Sequence, residues 1–90
     1  MVEKSFRITS EMGIHARPAT ELVNTCMDYQ SQILLTALKK VVDLKSIMGV
    51  MSLGVYSGTT ITISCEGEDE ADAMQAIKDK IFELGLGKEI

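Results

Sequence analysis

The lone histidine of the 90-residue chain, His15, and Arg17 stand at the start of a stretch with helical spacing. The first backbone N–H groups of a helix have no partners within it, and Ser, Thr, Asp or Asn usually accepts their hydrogen bonds. A histidine there leaves these donors free for an external anion, which the positive end of the helix dipole attracts. Arg17 adds a forked guanidinium that matches phosphate oxygens, and Pro18 occupies the first turn, where its missing N–H costs little.

The residue types around His15 indicate phosphoryl transfer. A neutral imidazole nitrogen can attack a phosphoryl donor, while Arg17 and a cradle that includes Ala16 and Pro18 hold the transferred group. The resulting N–P bond is labile, so the group can be passed on. A surface histidine that merely precedes a helix would show the same spacing, so the residues alone leave both interpretations open.

A second candidate site is Ser46, which precedes a short stretch of helical spacing. A serine at this position can serve simply as the N-cap of the helix. Five of the next seven residues are apolar, whereas a helix lying on a core needs about three in seven. Because they cannot all face inward, the sequence predicts an exposed, methionine-rich patch suited to several partners. The alternative is a short helix buried on all sides; the apolar residues are Ile47, Met48, Val50, Met51 and Leu53.

The charge balance and hydropathy exclude several classes of protein. Thirteen acidic and nine basic side chains give a formal net charge of -4, which argues against direct nucleic-acid binding through phosphate neutralisation. No apolar run approaches the roughly 18 residues of a membrane-spanning helix, so no membrane insertion is expected. The N-terminal segment 1–10 has no signal-peptide-like stretch, and the sequence therefore predicts a cytoplasmic protein.

Neither the cysteines nor the acidic residues form a metal-binding pattern. Cys26 and Cys65 make no CxxC pair, and both are expected to be reduced and buried thiols. The acidic run at 66–72 lacks the spacing of a calcium loop and is expected at a solvated helix start. No metal and no other cofactor is therefore expected.

The hydrophobic pattern predicts seven elements in one domain, residues 1–90. Strands are predicted where apolar and polar residues alternate, at 2–9, 33–37, 41–44 and 60–65, and helices where apolar residues recur every three or four positions, at 16–27, 47–53 and 70–84. The link 37–40 has no Gly or Asn to supply a positive φ, so its turn type stays open. The apolar stripe predicted for the first helix comprises Ala16, Ala19, Leu22, Val23, Cys26 and Met27.

The predicted fold class is α+β. Each strand has one apolar face and each helix one apolar stripe, so helices that cover one face of a small antiparallel sheet bury all of them. The order along the chain is strand, helix, two strands, helix, strand and helix.

Two long segments identify a family resemblance. GIHARPAT at 13–20 and KSIMGVMSLG at 45–54 resemble the HPr family, the histidine-containing phosphocarrier proteins of the bacterial phosphoenolpyruvate-dependent sugar phosphotransferase system. EGEDEADA at 66–73 adds to the resemblance, which extends over essentially the whole chain. It implies an open-faced β-sandwich of four antiparallel strands and three helices, which acts as a monomeric phosphocarrier and not as an enzyme.

The resemblance also implies roles for individual residues. His15 would accept a phosphoryl group on Nδ1 from phosphorylated enzyme I and hand it to sugar-specific enzyme IIA domains, with Arg17 steadying the phosphate. Ser46 would be phosphorylated by HPr kinase/phosphorylase, as in HPr proteins of low-GC Gram-positive bacteria, and the product would act as corepressor with the catabolite control repressor. The surface that docks these partners would include Thr20, Ile47, Met48 and Met51.

The alternative to a phosphocarrier is a purely regulatory HPr paralogue that acts only as a serine-phosphorylated corepressor. The presence of His15 favours the phosphocarrier. Two features depart from the usual pattern of the family: the turn at 37–40 lacks a glycine, and Cys26 and Met27 replace small and polar residues near the end of the first helix. Neither departure lies at a candidate phosphorylation site.

Overall fold

A five-stranded antiparallel sheet with three helices against one face forms the fold of the computed structural model, which describes residues 1–90. None of the helices has the length and apolar character needed to cross a membrane. The helices are α1 Ala16–Met27, α2 Ile47–Ser52 and α3 Glu70–Glu83. The strands are β1 Val2–Ile8, β2 Gln32–Ala37, β3 Lys40–Asp43, β4 Thr60–Glu66 and β5 Gly87–Glu89. Their order across the sheet is β3-β2-β4-β1-β5.

The fifth strand corrects the prediction of a four-stranded sheet. β5 pairs with β1, with Gly87 opposite Ile8. Its three residues, Gly-Lys-Glu, are too few and too polar to alternate, so hydrophobic patterning did not reveal it. The Glu89 carboxylate accepts from Lys78 at 2.9 Å and from Lys4 at 3.2 Å, and these bonds lower the pKa of Glu89. The C-terminal strand is thus tied both to α3 and to its neighbouring strand β1.

One apolar core fills the space between the sheet and the helices. Alternate residues of β1, β2 and β4 are buried, as expected for strands with one covered face. Cys26 of α1 and Cys65 of β4 are buried, unpaired thiols, and burial raises their pKa values to about 12 and about 11. Ala16 and Met27, predicted for the apolar stripe of α1, are exposed because they lie at the two ends of the helix, beyond the core.

Asp69 fastens the start of α3 to the loop before β2. Its carboxylate accepts from the backbone N–H of Gln30 at 2.8 Å and of Ser31 at 3.0 Å, and from the Ser31 hydroxyl. The bond from the Ser31 hydroxyl is the main cause that lowers the pKa of Asp69. Glu70 accepts from the N–H of Gly67 at 3.1 Å, so the acidic run stabilises a helix start. It gathers no cluster of three or more potential metal ligands.

The hairpin turn between β2 and β3 is formed by two residues that both have a Cβ. Leu38 and Lys39 have φ values of +52° and +67°, between the paired residues Ala37 and Lys40. Positive φ at both central positions is the requirement of a type I′ turn, for which Asn-Gly is the preferred sequence. Each such residue with a side chain costs roughly 1 kcal/mol.

We expect the double substitution Leu38→Asn, Lys39→Gly to raise the free energy of unfolding by about 1 kcal/mol, because the new residues adopt this turn with less strain. Leu38 is exposed, so little packing is lost. Denaturant unfolding measures the change. Lys40→Gly is the matched control, since glycine inside a strand lowers stability; a double variant no more stable than the parent would contradict the strain.

Candidate functional site

His15 is the N-cap of α1. Its backbone is extended, with φ -89° and ψ -173°, and its carbonyl accepts from the N–H of Ala19 at 3.1 Å, while its side chain caps nothing. The N–H groups of Ala16 and Arg17 have no acceptor within the chain, and Pro18 has no N–H to satisfy. The start of α1 therefore presents free donors at the positive end of the helix dipole, as the sequence predicted.

The imidazole of His15 makes no hydrogen bond through Nδ1. This nitrogen is shielded from solvent although the residue as a whole is partly exposed. No other group of the chain competes for it. Reaction at Nδ1 therefore requires the side chain to turn about its χ angles and bring the nitrogen to the surface.

A cleft of about 340 Å³ lies beside His15 and Arg17. The Arg17 side chain is exposed and makes no ion pair, so its guanidinium is available to an anion. Glu83 is paired with Lys80 at 3.2 Å. The start of α1 forms one wall and the end of α3 the other; the lining residues are Ser10, His15, Arg17, Pro18, Glu83, Leu84 and Leu86.

The other predicted residues at the start of α1 are Ala16 and Thr20, which are exposed, and Pro18, which is buried. Ala16 and Thr20 line a shallow depression together with Arg17, next to the cleft. The Thr20 hydroxyl donates to the carbonyl of Ala16 at 2.8 Å. Pro18 is buried and forms part of the cleft lining. The structure thus brings His15, Ala16, Arg17, Pro18 and Thr20 together.

Ser46 is the N-cap of α2. Its hydroxyl oxygen accepts from the N–H of Gly49 at 3.1 Å, and its carbonyl accepts from the N–H of Val50 at 3.0 Å. The side chain of the preceding residue, Lys45, is anchored elsewhere, because Nζ donates to the carbonyl of Tyr29 at 2.7 Å. Ser46 therefore has the capping position that the sequence predicted, and it is half-buried.

An apolar patch on α2 is exposed next to Ser46. Met48 is 77% exposed, Met51 40% and Ile47 37%, whereas Val50 and Leu53 are buried. The short helix is therefore not buried on all sides. The exposed side chains of this helix, the α2 patch, are Ile47, Met48 and Met51. The helix itself packs against α1, which His15 caps.

Sequence reasoning missed one wall of the cleft. Ser10, Glu83 and Leu86 were not among the predicted site residues, although all three line it. Leu86 reaches the site because its carbonyl accepts from the N–H groups of Thr9 at 2.9 Å and of Ser10 at 3.2 Å. This contact joins opposite ends of the chain next to β5, and no local motif in either segment signals it.

Comparison with known proteins identifies the family. A family model described as the phosphorylation site of the HPr component of the phosphotransferase system matches residues 2–82. The chain belongs to the HPr family. The structure of the histidine-containing phosphocarrier protein of Mycoplasma is similar, with a TM-score of 0.94 and 40% identity over 96% of this chain and 98% of that chain.

Two further HPr relatives have comparable folds. Phosphocarrier protein HPr of Bacillus anthracis str. Ames has a TM-score of 0.81 and 35% identity, over 88% of this chain and 94% of that chain. Crh, the catabolite repression HPr of Bacillus subtilis, has a TM-score of 0.72 and 36% identity, over 92% and 95%, and its structure is a domain-swapped dimer. This chain is therefore a phosphocarrier of the phosphotransferase system, and not an enzyme.

Proposed function

We propose that His15 carries the phosphoryl group, taking it from phosphorylated enzyme I onto Nδ1 and handing it to sugar-specific enzyme IIA domains. The observation that supports this most strongly is the position of the lone histidine. It stands at a helix start with free N–H donors, and it shares a cleft with the unpaired Arg17. A purely regulatory paralogue would not use this arrangement, although the 36% identity to Crh makes that function the alternative to test.

The chemistry at His15 is an in-line transfer between two phosphoryl carriers. The lone pair of neutral Nδ1 attacks the phosphorus of the donor, so an N–P bond forms as the donor's bond to phosphorus breaks and its leaving atom keeps the electron pair. The guanidinium of Arg17 and the free N–H groups of Ala16 and Arg17 offset the charge on the phosphoryl oxygens. The same contacts stabilise the group until an acceptor attacks it from the other side.

Incubation with labelled phosphoenolpyruvate and catalytic enzyme I tests the proposed function. We expect one phosphoryl group per chain, released by acid and retained in alkali, since this stability is typical of an N–P bond. Transfer of the label to an enzyme IIA domain should follow. No label, or a label that survives acid, would contradict a phosphohistidine carrier.

We further propose that Ser46 is a regulatory phosphorylation site for HPr kinase/phosphorylase. Its place at a helix start, where negative charge is favourable, and the adjoining α2 patch support this role. Thr20 and the α2 patch would dock enzyme I, the kinase and the catabolite control repressor. The protein would act as a monomer in the cytoplasm.

Ser46→Asp is expected to slow phosphorylation of His15 by enzyme I about fivefold without lowering the melting temperature. The introduced carboxylate would repel an acidic group of enzyme I near the α2 patch, and such a like-charge pair costs about 1 kcal/mol in water, which corresponds to a fivefold change in rate. The melting temperature should not fall, because Asp caps a helix as well as Ser does. Initial rates with enzyme I and thermal unfolding measure the two effects. Ser46→Asn is the matched control, because it caps the helix without charge and should leave the rate unchanged; equal rates for the two variants would refute the charge mechanism.

A further inference from the structure

We propose that Ser10 binds the phosphoryl group on His15, with its hydroxyl donating a hydrogen bond to a phosphoryl oxygen; the inference rests on the proposed function of His15. Ser10 lines the same cleft as His15 and Arg17. Apart from those two residues, it is the only lining residue with a side-chain donor. Ser10 would thus complete the binding site for the transferred group.

The backbone of Ser10 is held firmly beside the cleft. Its N–H donates to the carbonyl of Leu86 at 3.2 Å, and its own carbonyl accepts from the N–H of Gly13 at 3.0 Å. The first bond joins Ser10 to the chain end next to β5, and the second closes a turn that leads to His15. Because the backbone is already held, binding an anion here costs little further backbone entropy.

The hydroxyl of Ser10 has no partner in the resting protein. No hydrogen bond of the chain involves Oγ of Ser10, and the residue is half-buried. The hydroxyls of Thr20 and Ser46 differ, since the first donates to the Ala16 carbonyl and the second caps α2. Ser10 therefore contributes nothing to the resting fold through its hydroxyl, and its donor is available when a phosphoryl group arrives.

The negative charge of Glu83 in the cleft lining gives a hydrogen-bond donor such as Ser10 a role in binding phosphate. Glu83 lines the cleft from the end of α3, and its carboxylate, although paired with Lys80, adds negative charge near the oxygens of a phosphoryl group. Hydrogen bonds from Ser10 and Arg17 to the phosphoryl oxygens would offset this repulsion. Because the acceptor is charged, such a bond is stronger than one between neutral groups.

The test measures how favourably His15 takes up phosphate at equilibrium. Parent and variant proteins are brought to equilibrium with catalytic enzyme I at fixed ratios of phosphoenolpyruvate to pyruvate, and the phosphorylated fraction is read by ³¹P NMR. A net hydrogen bond of typical strength corresponds to a roughly three- to tenfold change in this equilibrium constant. We expect Ser10→Ala and Ser10→Cys to lower the constant by that factor, and Ser10→Thr, which keeps the hydroxyl, to restore it.

Thermal unfolding of the unphosphorylated proteins separates binding from folding. The melting temperature of Ser10→Ala should equal that of the parent, because the hydroxyl has no partner in the resting state. An uptake constant for Ser10→Ala within a factor of two of the parent, or one for Ser10→Thr as low as that of Ser10→Ala, would overturn the proposal. No uptake by the parent would refute the carrier function itself, whereas normal uptake by the parent with an unchanged Ser10→Ala constant would refute the Ser10 proposal alone.

Discussion

His15→Ala is expected to reduce phosphoryl uptake from enzyme I to background. His15 is the only histidine, so no other imidazole can form the acid-labile N–P bond. The loss would reflect chemistry and not unfolding, because the His15 side chain makes no capping bond and Nδ1 has no partner. Labelling with phosphoenolpyruvate and enzyme I measures the uptake.

The control for His15→Ala is the thermal unfolding of the same variant. We expect its melting temperature to remain close to that of the parent, since an uncapped helix start loses no hydrogen bond when the side chain is shortened. Docking should also persist, because the α2 patch is unchanged, and the variant should compete with the parent for enzyme I. Acid-labile label on His15→Ala above background would rule out His15 as the carrier residue.

Gly13→Ala is expected to be strongly destabilising, by about 3 kcal/mol. Gly13 has φ +63°, and a Cβ there would lie 2.2 Å from the carbonyl oxygen of Val55 and 2.7 Å from Cα of Tyr56. Left-handed backbone with a side chain costs about 1 kcal/mol, and forcing apart packed backbone adds roughly 2 kcal/mol. The movement would also strain the bond from the N–H of Ile14 to the Val55 carbonyl, 3.1 Å in the parent.

Gly54→Ala is the matched control for Gly13→Ala. Gly54 has the same φ of +63°, but a Cβ there meets nothing within 4 Å. The free energy of unfolding of Gly54→Ala should therefore fall only by the conformational part, about 1 kcal/mol. Denaturant unfolding of both variants measures the difference, and slower uptake of phosphate by Gly13→Ala should accompany it because the loop leads directly to His15. Equal losses for the two variants would show that the close approach to residues 55 and 56 does not matter.

Both helix starts could be predicted from sequence because a cap and its helix are encoded within a few neighbouring residues. His15 and Ser46 occupy the N-cap positions that their spacing predicted, and the exposed α2 patch follows from an excess of apolar residues over one helix face. Hydrophobic patterning predicted the α+β fold class and the resemblance predicted the HPr family, and the comparisons confirm both. The roles of His15, Arg17 and Ser46 in phosphate chemistry stay predictions.

Sequence patterning could not predict the features that depend on pairing between residues far apart in the chain. β5 is too short and polar to alternate, so its pairing with β1 appears only in three dimensions. The same pairing region brings Leu86 to Ser10, and with it the second wall of the cleft. The turn at Leu38 and Lys39 is also nonlocal in origin, because the paired strands impose positive φ on residues that do not prefer it.

The most direct test of the account is the identity of the phosphorylated atom. The protein is prepared with ¹⁵N-labelled histidine, phosphorylated with phosphoenolpyruvate and enzyme I, and examined by NMR for coupling between ³¹P and the ring nitrogens. We predict one phosphoryl group on His15, coupled to Nδ1, together with changed amide signals for Ala16 and Arg17 as their free N–H groups engage the phosphate. Full uptake with coupling to Nε2, or no change at the His15 ring, would contradict the account.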